Sequence, residues 1–151
     1  MNCRAPGATI RAGGFCMELV LQKSMTATES PWNAAAEIYD MMVDGQAVGH
    51  VSLRLEDKPW ILAYIGHIGY RVKPEHQGHH YAEAACRLVL PIARGRGLTT
   101  VWISCNPDNT ASVRTIERLG ATYVDTIDLP KDSRYYPRGE RQKRRYRMDL
   151  Y

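Results

Sequence analysis

After Val72 the hydrophobic period of this chain changes, and that change restricts the fold more than any other feature. Up to Val72 apolar and polar residues alternate, as in half-buried strands. From Tyr81 to about Arg94 the small and apolar residues Ala82, Ala85, Cys86, Val89, Ile92 and Ala93 recur at helical spacing instead. Between the two regimes, residues 73–80 contain Pro74 and Gly78 and cannot be regular. A strand, an irregular turn and a helix in that order begin a crossover unit, which calls for a layered α/β domain.

The other segments fit that frame. Residues 17–22 read as a strand and residues 24–33 as a polar link containing Pro31. Residues 35–44 and 46–55 form a hairpin with Asp44-Gly45 as its type I′ turn. Residues 60–72 read as one strand, in which Gly66 and Gly69 mark a bulge or a close backbone approach. Pro91 should kink the helix, which Gly95 and Gly97 end. Residues 99–104 are β-branched and short, as in a buried parallel strand. Asn106-Pro107-Asp108-Asn109 supplies caps for a second helix that stops at Gly120. Residues 121–129 and 143–150 are strands around a loop at 130–140. The order β-β-β-β-α-β-α-β-β predicts a mixed sheet with at least one right-handed parallel crossover.

The 151 residues suit one domain, and a chain of this size buries roughly 70% of its unfolded surface. Apolar residues at 44% and charged residues at 24% exclude disorder as the main state. No apolar run approaches the ~18–20 residues of a membrane span. Residues 1–16 lack both periodicity and the apolar stretch of a secretory signal, so they read as a flexible extension ahead of a domain at 17–151. Cys3, Cys16, Cys86 and Cys105 form no metal-ligand spacing and read as free thiols of a cytoplasmic protein. Residues 131–147 hold eight Lys/Arg against Asp132 and Glu140, a net of +6 in a chain whose total is +4. A body near neutral with one basic segment points to nucleic acid more weakly than a basic chain would.

The chemistry is concentrated in Pro74-Glu75-His76-Gln77-Gly78-His79-His80-Tyr81-Ala82. A turn that opens a helix leaves several N–H groups unpaired at the positive end of the helix dipole, which suits phosphate. No G-K-[ST] follows and no G-x-G-x-x-G is present, so neither standard nucleotide loop applies. One glycine before a helix also fits an ordinary tight turn. His76, His79 and His80 read as loop residues, with no metal expected.

Two stretches together carry a resemblance. GHIGYRVKPEHQGHHYAEAACRLVL resembles the fourth strand, pyrophosphate loop and following helix of the GNAT superfamily of acyl-CoA-dependent N-acetyltransferases, written I-G-Y-x-V-x-P-x-x-R-G-x-G-Y-A. NPDNTASVRTIERLGA resembles that family's next motif, N-x-x-S followed by E-[KR]-x-G. The resemblance covers about residues 35–150 and is closest to the branch of ribosomal-protein acetyltransferases. It implies a sheet splayed between its fourth and fifth strands, with acetyl-CoA as co-substrate in the gap. It also implies that the backbone of Ile68, Tyr70 and Val72 meets the acyl carbonyl and pantetheine. The N–H groups of Gln77, Gly78, His79, His80, Tyr81 and Ala82 would hold the pyrophosphate, and Asn109 would reach the pantetheine or adenosine side.

Three positions depart from the family pattern. His80 stands where Gly or Ala is usual, Ile116 replaces the tyrosine that often protonates the leaving thiolate, and the two helices that roof the acceptor site have no counterpart in the 12 residues between Gln22 and Ala35. The acceptor pocket is therefore expected to be shallow, or completed by another part of the chain. Ser112 either donates to the thiolate or satisfies backbone. Cys105 reads as a buried structural thiol in preference to an acyl carrier. His67 occupies the slot where the ribosomal-type branch often has glutamate and is a candidate base; Tyr64 lines the site instead if the strand faces the other way.

What the resemblance implies is acetyl transfer to an amine within a ternary complex, the Ile68 N–H holding the oxyanion. The acceptor would be an amine-bearing small molecule, a peptide or a protein, with the basic hairpin at 131–147 flanking its groove. Nucleic acid is a weaker partner, no membrane is implied, and a homodimer is left open. A reading from another class is a non-catalytic module that binds CoA, RNA or the ribosome through residues 131–147.

Overall fold

The computed structural model describes residues 9–12 and 14–151. Strands β1 (Thr9–Ala12), β2 (Phe15–Met25), β3 (Ala36–Val43), β4 (Gln46–Arg54) and β5 (Ile68–Val72) form an antiparallel sheet in chain order. After α1 (Tyr81–Gly95), the strands β6 (Thr100–Cys105), β7 (Thr122–Asp128) and β8 (Gln142–Asp149) form a second sheet in the order β6-β8-β7, with α2 (Thr110–Arg118) between β6 and β7 in sequence. This is the splayed α/β architecture the sequence implied. The parallel pair expected of a strand–helix–strand crossover is absent among the described residues: β5 and β6 share no ladder, and the isolated bridge Gly66–Ile103 ahead of β5 is antiparallel.

That bridge depends on a glycine. Gly66 sits at φ 71°, and a Cβ there would come within 2.5 Å of the Trp102 carbonyl oxygen. The same contact reshapes the segment before it. Residues 61–65, expected as the first part of a strand, form a π-helical turn closed by the Gly66 N–H on the Ile61 carbonyl (2.7 Å). An apolar run without alternation accepts either state, and burial of Ile61 against the splay favours the turn. The hairpin turn holds Asp44 at φ 52° and Gly45 at φ 75°, the type I′ geometry.

Small residues bring α1 close to the first sheet: Ala84, Ala85, Cys86, Val89 and Ala93 are buried against Met17, Leu19, Met41, Val51 and Leu53. Each of the larger apolar side chains in that layer contributes about 1.5–3 kcal/mol by leaving water.

Two expectations differ from the fold. Residues 1–16 were read as loose, but from Thr9 the chain pairs in the sheet (Ile10 opposite Met17), and the Phe15 ring packs edge-on against Tyr81 at 4.8 Å. Residues 1–8 lie outside the described residues. The four cysteines were read as free thiols, whereas Cys16 is disulfide-bonded; Cys86 and Cys105 are free and buried. The basic segment, expected as a hairpin flanking the acceptor groove, is antiparallel to β7 through β8, which is the middle strand of its sheet. There Arg144 lies over Tyr123 (4.0 Å), and Arg145 lies over Trp102 (4.6 Å) and pairs with Asp125 (3.4 Å). A central strand has neighbours on both sides, so Arg144 and Arg145 meet aromatic rings and carboxylates of adjacent elements, whereas Arg147 pairs with Asp149 on its own strand (3.2 Å). No helix among the described residues is long and apolar enough to cross a membrane.

Candidate active site

The opening between the sheets is a cleft of about 550 Å³ bounded by β5, the turn before α1, and α2. Hydrogen bonds from the Arg54 N–H to the His67 carbonyl (2.7 Å) and from the Lys73 N–H to the Val48 carbonyl (2.9 Å) fix the alternation of β5. Odd-numbered residues present their backbone to β4, so the backbone groups of Ile68, Tyr70 and Val72 face the open side, where β6 forms no ladder. At the far end, Gly78 at φ 90° and His80 at φ 62° turn the chain into α1. The first helical bond is from the Ala84 N–H to the His80 carbonyl (3.2 Å), so the amides of Tyr81, Ala82 and Glu83 have no acceptor within the helix. The Gln77 amide differs from its expected role, being spent on the Pro74 carbonyl at 3.4 Å. His80 fits despite its side chain, because its ring accepts a hydrogen bond from Arg118 (2.5 Å).

The cleft is strongly cationic. Arg71, Arg114 and Arg118 line it together with His76 and His80, and no carboxylate does. Sequence reading missed these arginines. Arg114 and Arg118, four apart on α2, were the available signal; Arg71 joins them only through the fold. His79 turns away from the cleft, its ring lying on Tyr81 (5.2 Å) beside Ile10 and Phe15.

Midway along the cleft, Tyr70 reaches from β5 to α2, its hydroxyl 2.8 Å from the Ser112 hydroxyl. Burial pushes the Tyr70 phenol well above its ordinary pKa, so it is protonated across the physiological range. Asn109 lines the cleft, and its carboxamide oxygen accepts the Ser112 N–H (3.2 Å), capping α2.

Beyond Tyr70 lies a smaller pocket of about 230 Å³, lined by Arg54, Ile68, Gly69, Ser104, Cys105 and Lys143 among others, with Tyr135 from the loop after β7. A neighbouring pocket of about 400 Å³ shares Ile65 and Tyr135 with it and adds Trp32, Trp60 and Tyr64. Residues 26–35 contain no helix. The cover comes instead from Trp32, whose carbonyl accepts the Trp60 indole N–H (2.7 Å), and from Tyr135. Arg134 ties the two loops by donating to the Pro31 carbonyl. Burial raises the Cys105 thiol above its ordinary pKa, which leaves it a poor nucleophile.

His67 does not reach the site. Its side chain is fully buried; Nδ1 accepts the Trp102 N–H (2.9 Å), which leaves the proton on Nε2 to be donated to Asp57 (2.8 Å). The π-helical turn shifted the chain so that this ring clamps the two sheets together instead of facing substrate. Tyr64 faces the neighbouring pocket and not the cleft, while its carbonyl accepts from Ser104 (2.8 Å). No group of three metal-ligating side chains gathers among the described residues.

Residues 16–122 match the family described as "Acetyltransferase (GNAT) domain". No curated protein matches the chain in sequence. Among solved structures, the chain is similar to a Salmonella typhimurium acetyltransferase that modifies the N-terminal serine of ribosomal protein L7/L12 (20% identity, 77% of this chain and 64% of that one, TM-score 0.58). It is also similar to the microcin C7 self-immunity acetyltransferase MccE, solved with acetyl-CoA and AMP (19%, 76% and 61%, 0.60), and to Mycobacterium smegmatis RimJ with a CoA disulfide (19%, 76% and 53%, 0.59). Identities at this level speak for the fold. The chain spans between about half and two thirds of the length of these three.

Proposed function

Because the chain belongs to the GNAT acetyltransferase family, we propose that it moves an acetyl group from acetyl-CoA to an amine by direct attack in a ternary complex. The observation that carries this reading is the cleft: three arginines, two histidines and the leading amides of α1 converge on one polyanion-sized space with no carboxylate among them. Pyrophosphate sits on the turn from Gly78 to Glu83, pantetheine runs along the open edge of β5, and the Ile68 N–H holds the acyl oxygen as it becomes an oxyanion. Thiolate leaves beside Tyr70 and Ser112, whose linked hydroxyls supply the proton that the residue at 116 cannot. No histidine or free carboxylate lines the pocket beyond Tyr70, so the amine loses its proton to water. The protein acceptors of structural neighbours support a peptide or protein amine as one class open to this chain, alongside small molecules.

The test is a thermal-shift titration with acetyl-CoA combined with a thiol-release screen over pooled amino acids, peptides, polyamines and aminoglycosides. Saturable stabilisation and acceptor-dependent thiol release are expected. Binding without acceptor-dependent release from any pool would leave a CoA-binding module and overturn the transferase reading.

A further inference from the structure

The pocket beyond Tyr70 contains a cation with no anion. Arg54 ends β4 with only 6% of its surface exposed. Its Nε has no hydrogen-bond partner, and Nη1 finds only the Ile65 and Gly66 carbonyls at 3.5 Å, the limit of a hydrogen bond. No carboxylate pairs with it among the described residues. One face of the group lies on the Trp32 indole at 4.2 Å, and burial pulls its pKa down to about 10 against the opposing influence of Tyr135, which still leaves it charged. Lys143, the other cation lining the pocket, is satisfied by Glu140 (2.8 Å) and Asn106 (2.9 Å).

A buried charge left without a partner is costly, and proteins keep one where a ligand completes it. The position says which ligand. A Cβ on Gly69 would lie 2.9 Å from both Arg54 Nη atoms, so the guanidinium tip covers the residue next to Ile68. An anion on Arg54 is therefore within a few bonds of the carbon under attack.

We propose that Arg54 receives the carboxylate of the acceptor, so that the acceptor is an α-amino acid or another amine with a carboxylate a few atoms away. This rests on the acetyltransferase reading above. The amine, having released a proton to water, forms the N–C bond; the C–S bond breaks and CoA thiolate takes a proton from the Tyr70–Ser112 pair; the nitrogen then sheds its second proton, which returns through water to that pair, and the products are an N-acetyl amino acid and CoA. A pocket of about 230 Å³ holds such a molecule with a small side chain, and Trp32 and Tyr135 close over it.

The experiment compares free α-amino acids with their carboxamides as acceptors for the full chain, by thiol release from acetyl-CoA. With rates taken per unprotonated amine, because the carboxamides carry the less basic amine, the carboxylate form is expected to lead by ~10–100-fold in kcat/KM, the range of a hydrogen-bonded charge. Arg54→Gln should erase that preference and Arg54→Lys should restore part of it, with the acetyl-CoA thermal shift unchanged in both. Equal use of the carboxamides by the unaltered protein overturns the proposal even if both variants fail to fold. A binding arm decides independently of turnover: N-acetylglycine should stabilise the protein in the presence of CoA and N-acetylglycinamide should not. Failure of that distinction sinks the carboxylate site, while failure of acetyl-CoA to bind sinks the transferase reading instead. Finally, if Arg54 governs the use of succinyl-CoA over acetyl-CoA and not the choice of acceptor, the anion belongs to the donor and the assignment is wrong.

Discussion

The hydroxyl of Tyr70 lies 2.8 Å from that of Ser112, and this contact joins the last strand of one sheet to the helix beside the other across the splay. Both groups sit where the proposed cofactor's sulfur would pass, and the buried phenol keeps its proton. Tyr70→Phe and Ser112→Ala are each expected to lower kcat by roughly 10²-fold, the low end for proton donation. Acetyl-CoA affinity should change little. A double variant no worse than either single one would show that the pair acts as a unit; full activity in Tyr70→Phe would remove the pair from the chemistry.

Gly78 opens the turn before α1 at φ 90°, with nothing within 4 Å of where a Cβ would stand. Gly78 lines the cleft, so a glutamate there adds bulk and negative charge beside the proposed pyrophosphate space. Acetyl-CoA at 100 times its Kd should stabilise the parent protein by about 2.7 kcal/mol, and Gly78→Glu should abolish that gain. An undiminished thermal shift would move the cofactor elsewhere.

His67 makes the stability depend on pH. The folded chain takes the neutral ring, since protonating Nδ1 would set an N–H against the Trp102 N–H. Burial lowers its pKa from 6.5, outweighing the opposing bond to Asp57. The unfolded chain takes up a proton near pH 6.5 that the fold refuses until lower pH. Stability is therefore complete above about 6.5 and is lost below it, by up to about 1.4 kcal/mol per pH unit until the folded pKa is reached. Urea midpoints at pH 7.5 and 5.5 should differ more in the parent than in His67→Gln; equal differences would show that His67 does not titrate in this window.

Removal of residues 1–16 takes away β1 and Phe15, which rests on Tyr81 at the head of α1. A chain beginning at Met17 is expected to lose about 2 kcal/mol, or roughly 4–8 °C in Tm for a protein of this size. An unchanged Tm would show that the hairpin adds nothing to the domain.

Features whose causes lie within a few residues could be read along the chain. Asp44-Gly45 takes positive φ at both turn positions. The period changes between Val72 and Tyr81, Asn109 caps α2, and Gly120 at φ 86° follows the end of that helix. The turn from Gly78 into α1 was legible for the same reason, being a local property of a strand, a glycine and a helix start. The remaining features depend on contacts between distant segments. Gly66 against Trp102 turned residues 61–65 into a π-helical turn, and with that His67 faced the splay and not the substrate. The same long-range assembly put β8 between β6 and β7, where its arginines meet rings and carboxylates. It also brought Arg71 to Arg114 and Arg118, and buried Arg54 beneath Trp32 with no anion. Side-chain partners of this kind are chosen by packing across the two sheets, and no spacing along the chain encodes them.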